Sequence, residues 1–83
     1  MKWEPNTTLE GENITIGRWF VFVFRYKDHA CFRYALALAG ACNDFAEADT
    51  PHTTLEAAKA HAVDWAACVL EDEAKKLRED GTP

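Results

Sequence analysis

The residues with the widest chemical repertoire in this chain are three histidines, His29, His52 and His61, and three cysteines, Cys31, Cys42 and Cys68. His29 and Cys31 alternate onto one face of an extended segment, and such a pair can supply two of the four ligands of a zinc ion. A complete site would need His52 and His61 to converge from a loop and a helix, with Cys68 further along that helix, and nothing in the spacing forces this. The histidines therefore read as structural, and no metal or cofactor is expected. The cysteines are odd in number, contain no C-x-x-C pair and lie in apolar or alanine-rich surroundings that do not favour a thiolate. They read as reduced, small apolar fillers; a Cys31–Cys42 bridge would require the intervening strand to turn back.

Acid–base catalysis by paired carboxylates needs an apolar pocket or a histidine that separates their pKa values. Neither accompanies Asp44, Glu47 and Asp49, or Glu71, Asp72 and Glu73. Serine is absent, which removes serine hydrolase chemistry, and the four glycines form no phosphate-cradling loop. No enzyme is expected. Two binding chemistries stay open. Arg18, Arg25, Lys27 and Arg33 interleave with Trp19, Tyr26 and Tyr34, the combination by which sheets stack and clamp single-stranded nucleic acid. A net charge of −5 opposes a polyanion at long range. Conversely, Asp44, Glu47 and Asp49 with the helical Asp64, Glu71 and Asp72 could occupy a basic groove that normally holds nucleic acid; as charges alone they fit an ordinary solvated face better.

These side chains must be placed by a single 83-residue domain, nearly half hydrophobic and therefore able to fold. Residues 1–13 read as an irregular arm or short edge strand, with Pro5, Asn6 and Gly11 as turn signals. Sheet is expected over 14–38: Ile14-Thr15-Ile16, a bend at Gly17, a strand Trp19–Tyr26 rich in aromatic and β-branched residues, a four-residue connection Lys27–Ala30, and a strand Cys31–Leu38. A loop follows over 39–52, enclosing a brief fourth strand around Phe45. Thr53 and Glu56 have capping-box spacing, which predicts a helix over 53–79. Leu55, Ala58, Ala62, Trp65, Ala66 and Val69 fall on one stripe of it, with Asp64, Glu71 and Lys75 opposite. At about 1.5 Å per residue it is longer than the strands, so its last charged turns should overhang the sheet or cap its edge. The fold class is thus α+β: a short antiparallel meander of three strands, with a fourth near Phe45, on one long C-terminal helix.

Period-two alternation places Phe20, Phe22 and Phe24 on one face of the main strand and Trp19, Val21, Val23 and Arg25 on the other. An alanine-rich stripe approaches a sheet closely and leaves room for large partners, so the phenylalanines, with Tyr34 and Leu36, are expected beneath the helix. Trp19, Val21 and Val23 would then face outward beside Arg25 and Arg33. One helix covers one face only, and a second apolar face marks a contact with a partner or a second copy, unless Trp3, Leu9 and the 40–51 loop fold over it. Charge is segregated as well: four basic residues face one acid between Ile14 and Cys42, and eight acids face one base between Asn43 and Glu73. The apolar runs Trp19–Phe24 and Tyr34–Ala39 fall far short of the roughly 20 residues of a membrane span. Met1-Lys2-Trp3-Glu4-Pro5 lacks a signal-peptide core, so a cytoplasmic location is expected.

Trp3 near the start, Ile14-Thr15-Ile16-Gly17-Arg18-Trp19 leading into the main strand and Thr54-Leu55-Glu56-Ala57-Ala58-Lys59 opening the last helix together resemble small phage or prophage accessory proteins, the anti-CRISPR proteins among them. The resemblance covers most of the chain, although the continuous apolar strand Trp19–Phe24 departs from it. It implies a sheet-plus-helix form and a compact acidic inhibitor acting on a host protein or nucleoprotein complex. That group shares no active site, so no catalytic residue is carried over. Our expectation is a non-enzymatic, protein-binding inhibitor that uses Asp44, Glu47, Asp49, Asp64, Glu71 and Asp72, or the exposed strand face with Trp19, Arg25 and Arg33. A small nucleic-acid-binding module and a homodimeric structural protein are the alternatives.

Overall fold

A computed structural model describes residues 2–41 and 43–81. Five antiparallel strands, β1 (Glu4–Pro5), β2 (Glu10–Ile16), β3 (Trp19–Arg25), β4 (Arg33–Leu38) and β5 (Ala46–Asp49), are followed by α1 (Leu55–Asp80). The sheet order β1-β2-β3-β4-β5 is a simple meander with the helix on one side. The α+β class and the long C-terminal helix match the sequence expectation. The strand number is one more than the three or four expected: β5 is the brief strand anticipated around Phe45, and β1 gives the 1–13 segment a short edge strand rather than an irregular arm.

Turn chemistry explains the meander. Gly17 has φ +61° and Arg18 a negative φ, the pattern of the two-residue type II′ turn that joins Ile16 to Trp19. The β3–β4 connection is longer than the four residues expected, because Cys31 and Phe32 lie outside the ladder. Phe32 instead pairs with the chain before the helix: its N–H donates to the His52 carbonyl at 2.9 Å, and its carbonyl accepts from the Thr50 hydroxyl at 2.8 Å.

The helix begins one residue later than the capping-box spacing suggests. Thr54, extended at φ −116° and ψ 146°, is the N-cap, and its side chain accepts from the Ala57 N–H. Glu56 is therefore one position too early to close a capping box and instead lies 3.4 Å from the Lys59 ammonium. Beyond the start the expected stripe holds: Ala58, Ala62 and Ala66 are buried, and Leu55, Trp65 and Val69 pack around them. The helix outruns the sheet, leaving Leu77 74% exposed near its end. Cys68 is exposed on it and Cys31 half-buried, which corrects their reading as apolar fillers; Cys42 lies outside the described residues.

The facing of β3 reverses the expectation. Val21 and Val23, with Tyr34 and Leu36 opposite them on β4, form the core beneath the helix, while Phe20, Phe22 and Phe24 turn away. The reason is volume. The alanine stripe lets the helix approach closely, but Trp65, Tyr34 and Phe32 already fill the space beside it, and Trp3 and Trp19 close the rim. Valines fit the remainder where phenylalanines would overpack it. An ion pair fixes the same choice: Glu12, opposite Val23, lies 2.9 Å from Lys59 of the helix, whose ammonium also sits over the Trp3 ring. The hydrogen bond to Glu12 holds the Lys59 pKa above its ordinary value. Trp19 accordingly faces the helix, half-buried against the core and edge-on to Phe45, rather than pointing outward. Trp3 covers the helix side rather than the outer face.

Three substitutions test this arrangement. Gly11 has φ +134°, and a Cβ there would meet the Val23 carbonyl oxygen at 1.9 Å, so Gly11→Ala should cost at least about 2 kcal/mol in urea unfolding. Gly17→Ala, with open space at the same point, should cost only about 1 kcal/mol. The Tyr34 hydroxyl is buried without a protein partner. Tyr34→Phe should thus leave Tm unchanged or raise stability by up to about 1 kcal/mol; a clear loss would show that the hydroxyl is satisfied.

Candidate functional site

The face of the sheet away from the helix carries the row Asn13–Phe22–Ala35–Glu47 across β2 to β5, flanked by Phe24 opposite Arg33 and by Phe20 opposite Ala37. The alanines leave a hollow beside the β3 rings. Phe20 and Phe22 are half-buried with ring centroids 5.8 Å apart, and Phe24, Tyr26 and His29 continue the series at spacings of 5.5 Å.

The β1–β2 loop builds one wall over this hollow. Asn6 clamps it: the side-chain amide donates to the Val23 carbonyl at 3.1 Å, and its side-chain oxygen accepts from the Asn13 amide at 2.8 Å. Gly11, lacking a side chain, leaves that carbonyl accessible. Thr7, Thr8 and Leu9 are thereby held above the sheet, and Asp44 and Glu47 form the opposite wall. Between them lies a cleft of about 300 Å³, with Phe22, Phe24 and Tyr26 among its lining residues. Its volume is at the small end of ligand-binding pockets, and its walls combine aromatic rings with a few polar groups.

The electrostatics of this edge are unbalanced. Arg33 is shared between two carboxylates, with its Nε 2.7 Å from Asp49 and an Nη 3.6 Å from Glu47. Asp44 adds a third carboxylate beside Glu47. A hydrogen bond to Asp44 raises the Glu47 pKa most; burial and the charges of Asp44 and Asp49 add to this, and Arg33 partly offsets it. One guanidinium thus faces three acids.

Of the residues singled out from the sequence, Asp44, Glu47, Asp49 and Arg33 come together on the open face. Arg25 does not join them. It lies on the helix side of β3, ion-paired with Glu10 and over the Phe32 ring, so the two arginines occupy opposite faces and are both paired with acids. Asp64, Glu71 and Asp72 are exposed along the helix, away from the cleft. Leu9 and Asp44 of the 40–51 loop do reach over the outer face, as the alternative reading allowed, but Asn6 and Asn13 were missed; their only signal in the sequence was a turn-forming Pro5-Asn6 step ahead of a strand carrying a polar residue at Asn13.

His52 and His61 do converge, with parallel rings 4.8 Å apart at 4°. Rings stacked face to face project their lone pairs side by side rather than toward one point, and no group of three metal-ligating side chains occurs among the described residues. His29 stands apart, edge-on to Tyr26. No described helix is long and apolar enough to cross a membrane. Compared with family models, curated proteins and solved structures, the chain matches none.

Because the folded-state pKa of Glu47 is raised, its contact with Asp44 stabilises the protein fully below the ordinary glutamate value of 4.5 and is lost as pH rises through the folded value. Glu47→Gln keeps the hydrogen-bonding capacity without the charge. Thermal melts of the two proteins should agree in acid and diverge toward pH 7, with the variant the more stable; a wild-type protein that gains on the variant as pH rises would contradict the assignment.

Proposed function

We propose that this protein is a non-enzymatic binding module that docks a partner protein on the open face of its sheet, acting as an inhibitor of the kind that the resemblance to phage accessory proteins implies. One observation carries the proposal: the single helix shields one side of the sheet, and the other side presents Phe20, Phe22 and a walled cleft beside an acid-rich edge. Half-buried aromatics within a polar rim are typical of the anchor regions of protein interfaces. Asp44, Glu47 and Asp49 border this phenylalanine face, the reverse of the Trp19–Arg25 face expected to be open, whereas the helical acids line a solvated face.

Nucleic-acid binding has lost the feature that supported it, since Arg25 and Arg33 do not share a surface and are both ion-paired. The open face is the discriminating surface. Capture from host extract should recover a partner with the wild-type protein that is lost on Phe20→Asp and retained on Asp64→Lys with Glu71→Lys. Loss only with the helix variant would reject the proposal. A concentration-dependent dimer, abolished by Phe20→Asp in sedimentation, would instead identify a second copy as the occupant.

A further inference from the structure

The cleft has a composition that selects among partners. Its interior offers the ring of Phe22 and the side chain of Leu9 as apolar walls, with the exposed Tyr26 ring, backed by the buried Phe24, as a surface that attracts cations. Its mouth is bounded by Asp44 and Glu47. Arg33 is the one cation ion-paired with this edge among the described residues, and it is divided between Glu47 and Asp49. Negative charge is therefore left over at the rim of an aromatic hollow about 300 Å³ in volume, room enough for a long side chain but not for a helix or a base pair.

We propose that the cleft receives a lysine or arginine side chain of the partner protein, its aliphatic stem lying along Phe22 and Leu9 and its charged head beside Asp44 and Glu47. This rests on the open face being the docking surface. Long basic side chains suit such a place because the stem buries apolar area while the head remains at the polar rim. A carboxylate pair gains most from a donor that can bond to both oxygen sets, and a cation also relieves the repulsion between the two acids. An acidic partner is disfavoured by the same charges.

The test uses three capped tripeptides, Leu-Arg-Leu, Leu-Lys-Leu and Leu-Gln-Leu, titrated into the intact protein at low salt and followed by side-chain NMR of Phe22, Tyr26 and Glu47. The two basic peptides should perturb these resonances, with the glutamine peptide at least roughly tenfold weaker. Asp44→Asn with Glu47→Gln, both at exposed positions, should bring the basic peptides down to the glutamine level. Equal binding of all three peptides, no perturbation by the basic ones, or indifference to the double variant would overturn the proposal. The captured partner separates the two levels of inference. If it is lost on Phe20→Asp but kept by the double carboxamide variant, the face is the docking surface and the cationic occupant is wrong; if both variants keep it, the surface itself is wrong.

Discussion

Three alanines one turn apart, Ala58, Ala62 and Ala66, seat the helix against β3 and β4, and the remaining architecture depends on that close approach. Without bulk of their own, they draw the helix down until Val21, Val23 and Leu36 are sealed, with the larger Tyr34, Trp65 and Phe32 packed around them. Apolar burial at about 25 cal/mol per Å² makes such a seam the main source of stability in a domain this small. The Lys59–Glu12 pair fixes its register. Since β3 is apolar on both sides, whichever face the helix takes leaves the other as the outer surface, and the contact that stabilises the fold also determines what is offered for recognition.

That outer surface is shaped mainly by short side chains and by one loop. Ala35 and Ala37 lower the floor beside the phenylalanines, and Asn6 anchors the Thr7–Leu9 segment above it through two hydrogen bonds. The acidic wall comes from β5 and the residues before it. Its carboxylates sit close enough that the Asp44 hydrogen bond raises the Glu47 pKa, an arrangement that an incoming positive charge would relax. Shape and field therefore coincide at this edge of the sheet.

Much of this was legible in the sequence, and the failures have specific physical causes. The helix stripe could be read because its polar and apolar positions separate at a period of 3.6. The facing of β3 could not, because alternation marks two faces without saying which is buried when both are apolar. Neighbouring volume decides it, and volume is a property of the assembled core. The separation of Arg25 from Arg33 has the same origin: Tyr34 and Leu36 were placed under the helix correctly, so Arg33 points outward as expected, while the reversal of β3 carries Arg25 to the other side. The cleft was hidden because Asn6 finds its acceptor 17 residues away, a distance over which local pattern is silent. The N-cap shifted by one because Thr53 and Thr54 are chemically equivalent candidates and only the backbone distinguishes them.

The margins of the sheet have a consequence for behaviour at high concentration. β1 is two residues long and ends in Pro5, which has no amide to donate; β5 is four residues long, carries acids at alternate positions and runs into Pro51. Neither border can template a further strand for more than a few residues, and like charges along β5 would repel a copy of itself. These borders remove the long flat edges along which a sheet grows from molecule to molecule, even though one broad side with much aromatic and branched residue is left uncovered.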